Sequence, residues 1–237
     1  MKKLLTLVVA FLCAATVTAQ DEVEASGKIT KSQRSVGNFE NLDVTGSFNV
    51  ILEEGATGNI TVEASDNIAP YIITEVNGNT LSISTKKGMR FRASKGNKVT
   101  IHIPFKTLNE IKLTGSGCIT SDKTIASNTK IHLNGSGNIT LHVNSAKTDA
   151  LVTGSGSIKL VGLSEHFSCR VTGSGSIKAT ELESDNVEAD VTGSGSLKVL
   201  SNKIIKGRIT GSGSIAFAGE PQERDLKKTG SGDFKTL

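Results

Sequence analysis

The chain has no tryptophan and one tyrosine, and aromatic residues are 4% of its 237 residues. Extended carbohydrate surfaces usually rest on aromatic platforms, so this poverty argues against aromatic-mediated sugar recognition and leaves polar recognition open. Proline is also scarce, at 3 residues against 25 glycines, while 36% of the chain is hydrophobic. Collagen-like and disordered classes are therefore excluded in favour of an ordered single body with a core. A large excess of charge of one sign is missing too: the formal net charge is +4. With export, that near-neutral balance makes nucleic acid a poor partner. No apolar run after the N-terminus approaches the roughly 20 residues of a membrane helix. Nor is there a C-terminal series of amphipathic strands of about ten residues to build an outer-membrane barrel.

The first segment that is present reads as an address. Lys2 and Lys3, the apolar run from Leu4 to Ala15 and the small-residue site Val17-Thr18-Ala19 predict a signal peptide over residues 1–19, with Gln20 opening the mature chain. Leu12 before Cys13 is larger than a lipidated cysteine wants, which favours ordinary cleavage. The expected location is the periplasm, the outer membrane or the cell surface.

The strongest signal is a repeat. Gly-Ser-Gly begins at Gly115, Gly135, Gly154, Gly173, Gly193, Gly211 and Gly230, a period of about 19 residues that marks a solenoid. Two residues before the first glycine stand Leu113, Leu133, Val152, Val171, Val191, Ile209 and then Lys228; four after it stand Ile119, Ile139, Ile158, Ile177, Leu197, Ile215 and Phe234. A third column, four before, is small or apolar: Ile111, Ile131, Ala150, Cys169, Ala189, Gly207 and Leu226. Apolar and polar residues alternate with period two, which predicts half-buried strands. A coil of about 19 residues holds three short strands and their corners, as in a parallel β-helix. A flexible Gly-Ser linker would not keep Val, Ile and Leu in register. Cys118 and Cys169 fall in different columns about two to three coils apart, beyond the roughly 7 Å Cα limit of a disulfide, so both thiols are expected free.

Residues 20–110 are less regular. Val44-Thr45-Gly46-Ser47-Phe48-Asn49-Val50 reads as a degenerate repeat in which Phe48 replaces the second glycine, and alternation predicts strands at Ile60 to Ala64, Leu81 to Ile83 and Val99 to Ile103. Ser65 or Asp66 caps an expected short helix through Ile68, Ile72, Ile73 and Val76, ended by Asn77-Gly78. With a basic hairpin, this insert would cover the open edges of the first coil. Glu220 to Lys228, charged and with Pro221, reads as the cap at the other end. The expected organisation is one continuous domain: N-terminal coils with their insert over 20–110, then regular repeats over 111–237.

These segments together resemble a bacterial family called putative autotransporter adhesin, head GIN domain. The likeness rests on Arg34-Ser35-Val36-Gly37-Asn38-Phe39, the Val44 to Val50 segment, Val62-Glu63-Ala64-Ser65-Asp66-Asn67 with Thr74-Glu75-Val76, and the serial Gly-Ser-Gly repeats followed by Ile. It spans nearly all of the mature chain. The resemblance implies an all-β, secreted, right-handed parallel β-helix (solenoid) and brings no catalytic residues with it. With no translocator barrel read in this sequence, the autotransporter part of the label is not expected to apply.

Many parallel β-helices cleave acidic polysaccharides with Asp or Glu clusters. Here Asp149, Asp185 and Asp190 share no column, and His132 and His142 form only a loose pair, read as solvated strand histidines rather than metal ligands. No catalytic residue, metal site or cofactor is expected. Two features stand out. Lys159, Lys178 and Lys198 form a ladder five residues after the first glycine; like charges about 5 Å apart invite an anion, although exposed lysines also keep a sheet soluble. The second is 86–98, with Lys86, Lys87, Arg90 and Arg92 and no acid, read as a hairpin or loop tip that would touch lipopolysaccharide, anionic lipid or acidic polysaccharide, or be merely solvated. The expectation is an exported, non-enzymatic envelope adhesin or ligand-binding module, with an oligomer left open. A polysaccharide lyase or hydrolase on the same fold, or a purely structural envelope protein, are the alternatives.

Overall fold

Stacking the repeat columns on one another gives a nearly all-β solenoid of about 7 turns. The computed structural model describes residues 21–92 and 98–237. The expected signal peptide, with Cys13, lies outside the described residues, as do positions 93–97 of the basic segment.

Each coil runs up to its glycine corner along a first face and away from it along a second. The first face contains Glu110–Gly115, Thr129–Gly135, residues 148–154 and 166–173, Asn186–Gly193, Ile204–Gly211 and Glu223–Thr229, paired in parallel with glycine over glycine. The second contains Cys118–Ile125, residues 138–145 and 157–164, Ser176–Glu183, Ser196–Leu200, Ser214–Ala218 and Asp233–Thr236, again parallel. The period-two alternation sends the Leu113 and Ile119 columns inward, where every member down to Ile209 and Ile215 is buried. Each such side chain withdrawn from water contributes about 1.5–3 kcal/mol. The third column is small where bulk must be avoided: a Cβ on Gly207 would lie 2.7 Å from Phe234 Cε1.

The corner explains the tripeptide. The amides of Ser155 and Gly156 both donate to the Gly135 carbonyl at 2.9 Å, and Ser157 N donates to Gly137 O at 3.0 Å. Gly154 takes φ +116, and a Cβ there would sit 2.6 Å from Gly135 O. Only glycine meets both the left-handed backbone and the close approach of the next coil. Its serine neighbour points to solvent.

The stack begins as the degenerate repeat suggests. Gly46 pairs with Gly115, and Asn49 with Cys118, with Phe48, 3% exposed, standing where later coils have their second glycine. Thr80–Thr85 and Thr100–Phe105 continue the two faces in parallel. Beyond them the pattern changes: Asn59–Ser65 runs antiparallel to Thr100–Phe105, Ile29–Ser35 antiparallel to Asn59–Ser65, and Ile72–Asn77 antiparallel to Thr80–Thr85.

One expectation is corrected here. The predicted helix through Ile68, Ile72, Ile73 and Val76 does not form; Ala69–Tyr71 makes a single 3-10 turn around Pro70, and Ile72–Asn77 is a strand. Its β-branched residues favour the pleated conformation, and Asn77-Gly78, with Gly78 at φ +60, turns a hairpin rather than ending a helix. The C-terminal charged segment, expected as the cap, is the last rung of the first face: Glu223–Thr229 pairs with Ile204–Gly211, with Lys228 in register with Ile209. Lys228 Nζ bends back to donate to Gly232 O at 3.0 Å, so its charge finds a carbonyl at the end of the core.

Candidate functional site

The lysine ladder is built by the same register that buries Ile158, Ile177 and Leu197 next to it. Lys159 pairs with Lys178 and Lys178 with Lys198, so successive ammonium stems leave the second face one rung, about 4.8 Å, apart. Thr120 and Thr140 precede them in the column, and Ala216 and Lys235 follow. Lys235 was missed in the sequence, although its place five residues after Gly230 marks it. Two positions nearer the corner runs a column of Ser157, Ser176, Ser196 and Ser214, in which Ser176 Oγ donates to Ser157 Oγ at 3.1 Å. Each of these rungs therefore offers a hydroxyl, and most add an ammonium.

The lysines differ in their partners. Lys159 Nζ lies 2.8 Å from Glu181 Oε1, which a register shift after Lys159 brings alongside Val161. Among the described residues Lys178, Lys198 and Lys235 have no carboxylate within ion-pair distance. Two charges one rung apart repel by only about 1 kcal/mol in water, so the ladder is tolerable without a ligand. An anion laid along it would turn that repulsion into attraction.

The basic segment is placed differently from expectation. Lys86 to Met89 is a turn, closed by Met89 N donating to Lys86 O at 3.1 Å, and Met89–Arg92 is a strand rather than a free tip. It pairs in parallel with Asp21–Glu24, with Glu22 opposite Arg90, Val23 opposite Phe91 and Glu24 opposite Arg92. An acidic strand thus accompanies the basic one and offsets its field. The alternation Glu-Val-Glu against Arg-Phe-Arg is the signal that could have found it. Lys86, Lys87 and Arg90 are exposed, Phe91 packs on the core, and the Arg92 side chain lies outside the described residues.

The structure does not bring ladder and basic segment together. The basic segment leads into Thr100–Phe105, and in the ladder column His102, Ile51, Thr120 and Thr140 come before Lys159. His102 thus stands four rungs, about 19 Å, from Lys159. Cys118 begins the serine column in the regular repeats; burial pushes its thiol up, with Lys98 pulling it down more weakly. Cys169 is wholly buried and pushed up further by burial, with Asp190 adding to it. Both cysteines are free. His132 stands on the first face beside Leu151 and His142 on the second beside Val161. Among the described residues no group of three or more His, Cys, Asp or Glu is placed to hold a metal ion, and no helix is long and apolar enough to cross a membrane.

Comparison with known proteins places these features in context. The family described as "Putative auto-transporter adhesin, head GIN domain" matches residues 38–221. A crystal structure of a putative adhesin from Bacteroides fragilis is 27% identical, with a TM-score of 0.82, covering 91% of this chain and 100% of that one. A putative lipid binding protein from Parabacteroides distasonis is 24% identical, with a TM-score of 0.74 over 92% of this chain and 100% of its own. A putative adhesin from Parabacteroides merdae is 21% identical, with a TM-score of 0.72 over 92% and 99%. The two Parabacteroides proteins show the shared fold alone. No curated protein matches the chain.

Proposed function

Because the chain belongs to the family of putative auto-transporter adhesin head GIN domains, we propose that it is an exported, non-enzymatic protein of the cell envelope that holds an anionic polymer along its lysine ladder. The observation that carries this reading is the in-register column of Lys159, Lys178 and Lys198, two of them without a carboxylate partner among the described residues. A polymer bearing one negative group per monomer and lying parallel to the stack would meet one ammonium and one serine hydroxyl on each of these rungs. The basic strand contributes less, because Glu22 and Glu24 run beside Arg90 and Arg92.

Acidic polysaccharide and the phosphates of lipopolysaccharide or anionic lipid share this chemistry, and the lipid-binding description of one structural neighbour makes the lipid arm worth running separately. The mature protein is titrated with an acidic polysaccharide, with lipopolysaccharide, and with vesicles of anionic or zwitterionic lipid, at low and high salt. Binding to at least one anionic probe is expected, falling steeply with salt and falling again in the Lys159→Ser, Lys178→Ser, Lys198→Ser triple variant at unchanged melting temperature. The charge-neutralising set Lys86, Lys87, Arg90 and Arg92 is expected to matter less. Salt-insensitive binding, or none, would remove the proposal; shortening of the polysaccharide would replace it with a lyase or hydrolase.

A further inference from the structure

On the first face two outward columns stand two residues apart and form the walls of a trough running along the stack. One wall is Lys147, His166, Asn186 and Ile204, in register from rung to rung; the other is Asp149, Ser168, Glu188 and Lys206. Between them Phe167 and Val187 turn inward, 2% exposed each, so the floor is strand backbone. The trough encloses about 630 Å³, within the size range of small-ligand sites. Lys147 Nζ reaches Asp149 Oδ2 at 3.3 Å and closes one end. The next rungs are open, with His166 facing Ser168, Asn186 facing Glu188 and Ile204 facing Lys206.

The walls are set before any ligand arrives. Ser164 Oγ donates to His166 O at 3.1 Å, pinning that strand at its corner. Asn186 Nδ2 lies 3.3 Å from His166 Nδ1; with the amide donating, Nδ1 accepts, and the ring proton is left on Nε2. Glu188 and Lys206 are neighbours in register but, among the described residues, form no ion pair, so an acceptor and a donor remain side by side at the open end.

The charge balance separates this trough from the lysine ladder. Two carboxylates, Asp149 and Glu188, offset two ammonium groups, Lys147 and Lys206, so either a polyanion or a polycation would meet a like charge. An uncharged molecule rich in hydroxyls would not. Each hydroxyl both donates and accepts, and the walls alternate acceptors at Glu188, Ser168 and Asn186 Oδ1 with donors at Lys206, Ser168 and His166 Nε2. We propose that this trough is a binding site for a neutral saccharide about two rings long, since the open rungs span roughly 10 Å. With no aromatic platform, such a site binds weakly alone, on the order of millimolar, and gains strength by repetition along a glycan.

The test uses the mature protein and a panel of neutral cello-, xylo-, manno- and chito-oligosaccharides, read by saturation-transfer NMR and calorimetry. At least one is expected to saturate, equally at low and high salt. Affinity is expected to fall about tenfold or more in Glu188→Ala and in Asn186→Ala, both at surface positions, and to stay unchanged in the ladder triple variant. That last arm distinguishes this site from the polyanion reading. Failure of every neutral oligosaccharide to saturate, or binding indifferent to both trough variants at unaltered melting temperature, would overturn the proposal. New reducing ends would also overturn it, because Asp149 and Glu188 would then be hydrolytic carboxylates rather than binding groups.

Discussion

The repeat stack and the segment covering its first coil both bury aliphatic residues almost completely, Ile177 and Leu197 in one, Ile60 and Val62 in the other, yet different devices hold them. In the stack every strand lies on a copy of itself, so the cohesion is distributed over identical columns and a glycine corner. In the cover, strands distant in sequence meet antiparallel and are fastened by particular side chains. Arg34 donates through Nη1 to Ile72 O at 2.5 Å and Thr74 Oγ1 at 3.2 Å, and through Nη2 to Ala69 O at 2.7 Å. Lys31 pairs with Glu63, and His102 lies between Glu53, at 2.6 Å, and Glu63, at 3.5 Å. Periodic cohesion should fail through backbone and core positions, and the cover through its polar fasteners.

The largest expected effect tests the column assignment. Ile177→Asp should bury an unpaired carboxylate and cost upwards of about 4 kcal/mol, whereas Lys178→Ser, one residue away and exposed, should stay within about 0.5 kcal/mol. Equal melting temperatures for the two would break the inward and outward alternation. Next comes the corner. Gly173→Ala places a Cβ 2.7 Å from Gly154 O at φ +114 and should cost about 2–4 kcal/mol. In the cover, a Cβ in Gly37→Ala meets only the Val76 side chain, at 3.7 Å and beyond, and the change should be close to neutral in the same denaturation series.

The fastener follows. Arg34→Met removes the guanidinium donors from Ile72 O, Thr74 Oγ1 and Ala69 O, the last of which keeps the Ile72 amide as donor, and should cost about 1–3 kcal/mol, with faster amide exchange in Ile72–Asn77 and none of that loosening in Ile204–Gly211. Uniform loosening along both strands would erase the distinction between cover and stack.

How readable each region was in the sequence follows from the same contrast. Repetition shows the columns many times over, so the core, the glycine corner and the ladder could be aligned without a structure. Lys235 was overlooked behind Ala216 although the rule placed it. The cover offers each contact once, across long stretches of chain. There Ile72 to Val76, apolar at spacings that also suit a helix, was misread until its pairing with Thr80–Thr85 set the strand. The partnership of Asp21–Glu24 with Met89–Arg92 is equally non-local. The trough was missed for another reason: Asp149 was compared with Asp185 and Asp190 but not with Glu188, which shares its column.

Smaller effects should appear with pH, in opposite directions for the two regions. The Lys31 hydrogen bond holds the Glu63 carboxyl below its usual range, and the Ser26 hydroxyl, donating at 2.6 Å, does the same for Asp66. Carboxyls depressed in the folded state lend stability above the ordinary carboxylate range and lose it as pH falls through their lowered values. In the stack, the hydrogen bond to Asp185 raises Lys203, so its contribution is present below the ordinary lysine range and lost as pH rises through the raised value. Amide exchange should therefore quicken first in Ile29–Ser35 on acidification and around Lys203 at high pH; the reverse order would contradict these assignments. The smallest effect concerns the thiols: Cys118, partly exposed, should alkylate well before buried Cys169, and faster as pH rises. Mass spectrometry showing equal labelling in the folded protein would place them in equivalent environments.

Coils in the stack are not all the same length. Gly115 to Gly135 and Gly173 to Gly193 each take one residue more than Gly135 to Gly154, and Gly193 to Gly211 one fewer. The two longer coils are the ones whose pairing slips, after Thr120 and between Lys178 and Glu181, while glycine still stands over glycine on the opposite side. Pitch and girth are thereby uncoupled. The glycine corner acts as a fixed spine and the far corner as slack, so an inserted or deleted residue there changes the outline of one turn without moving the surface columns of any other. A chain organised this way can vary its decoration turn by turn while its spacing stays constant.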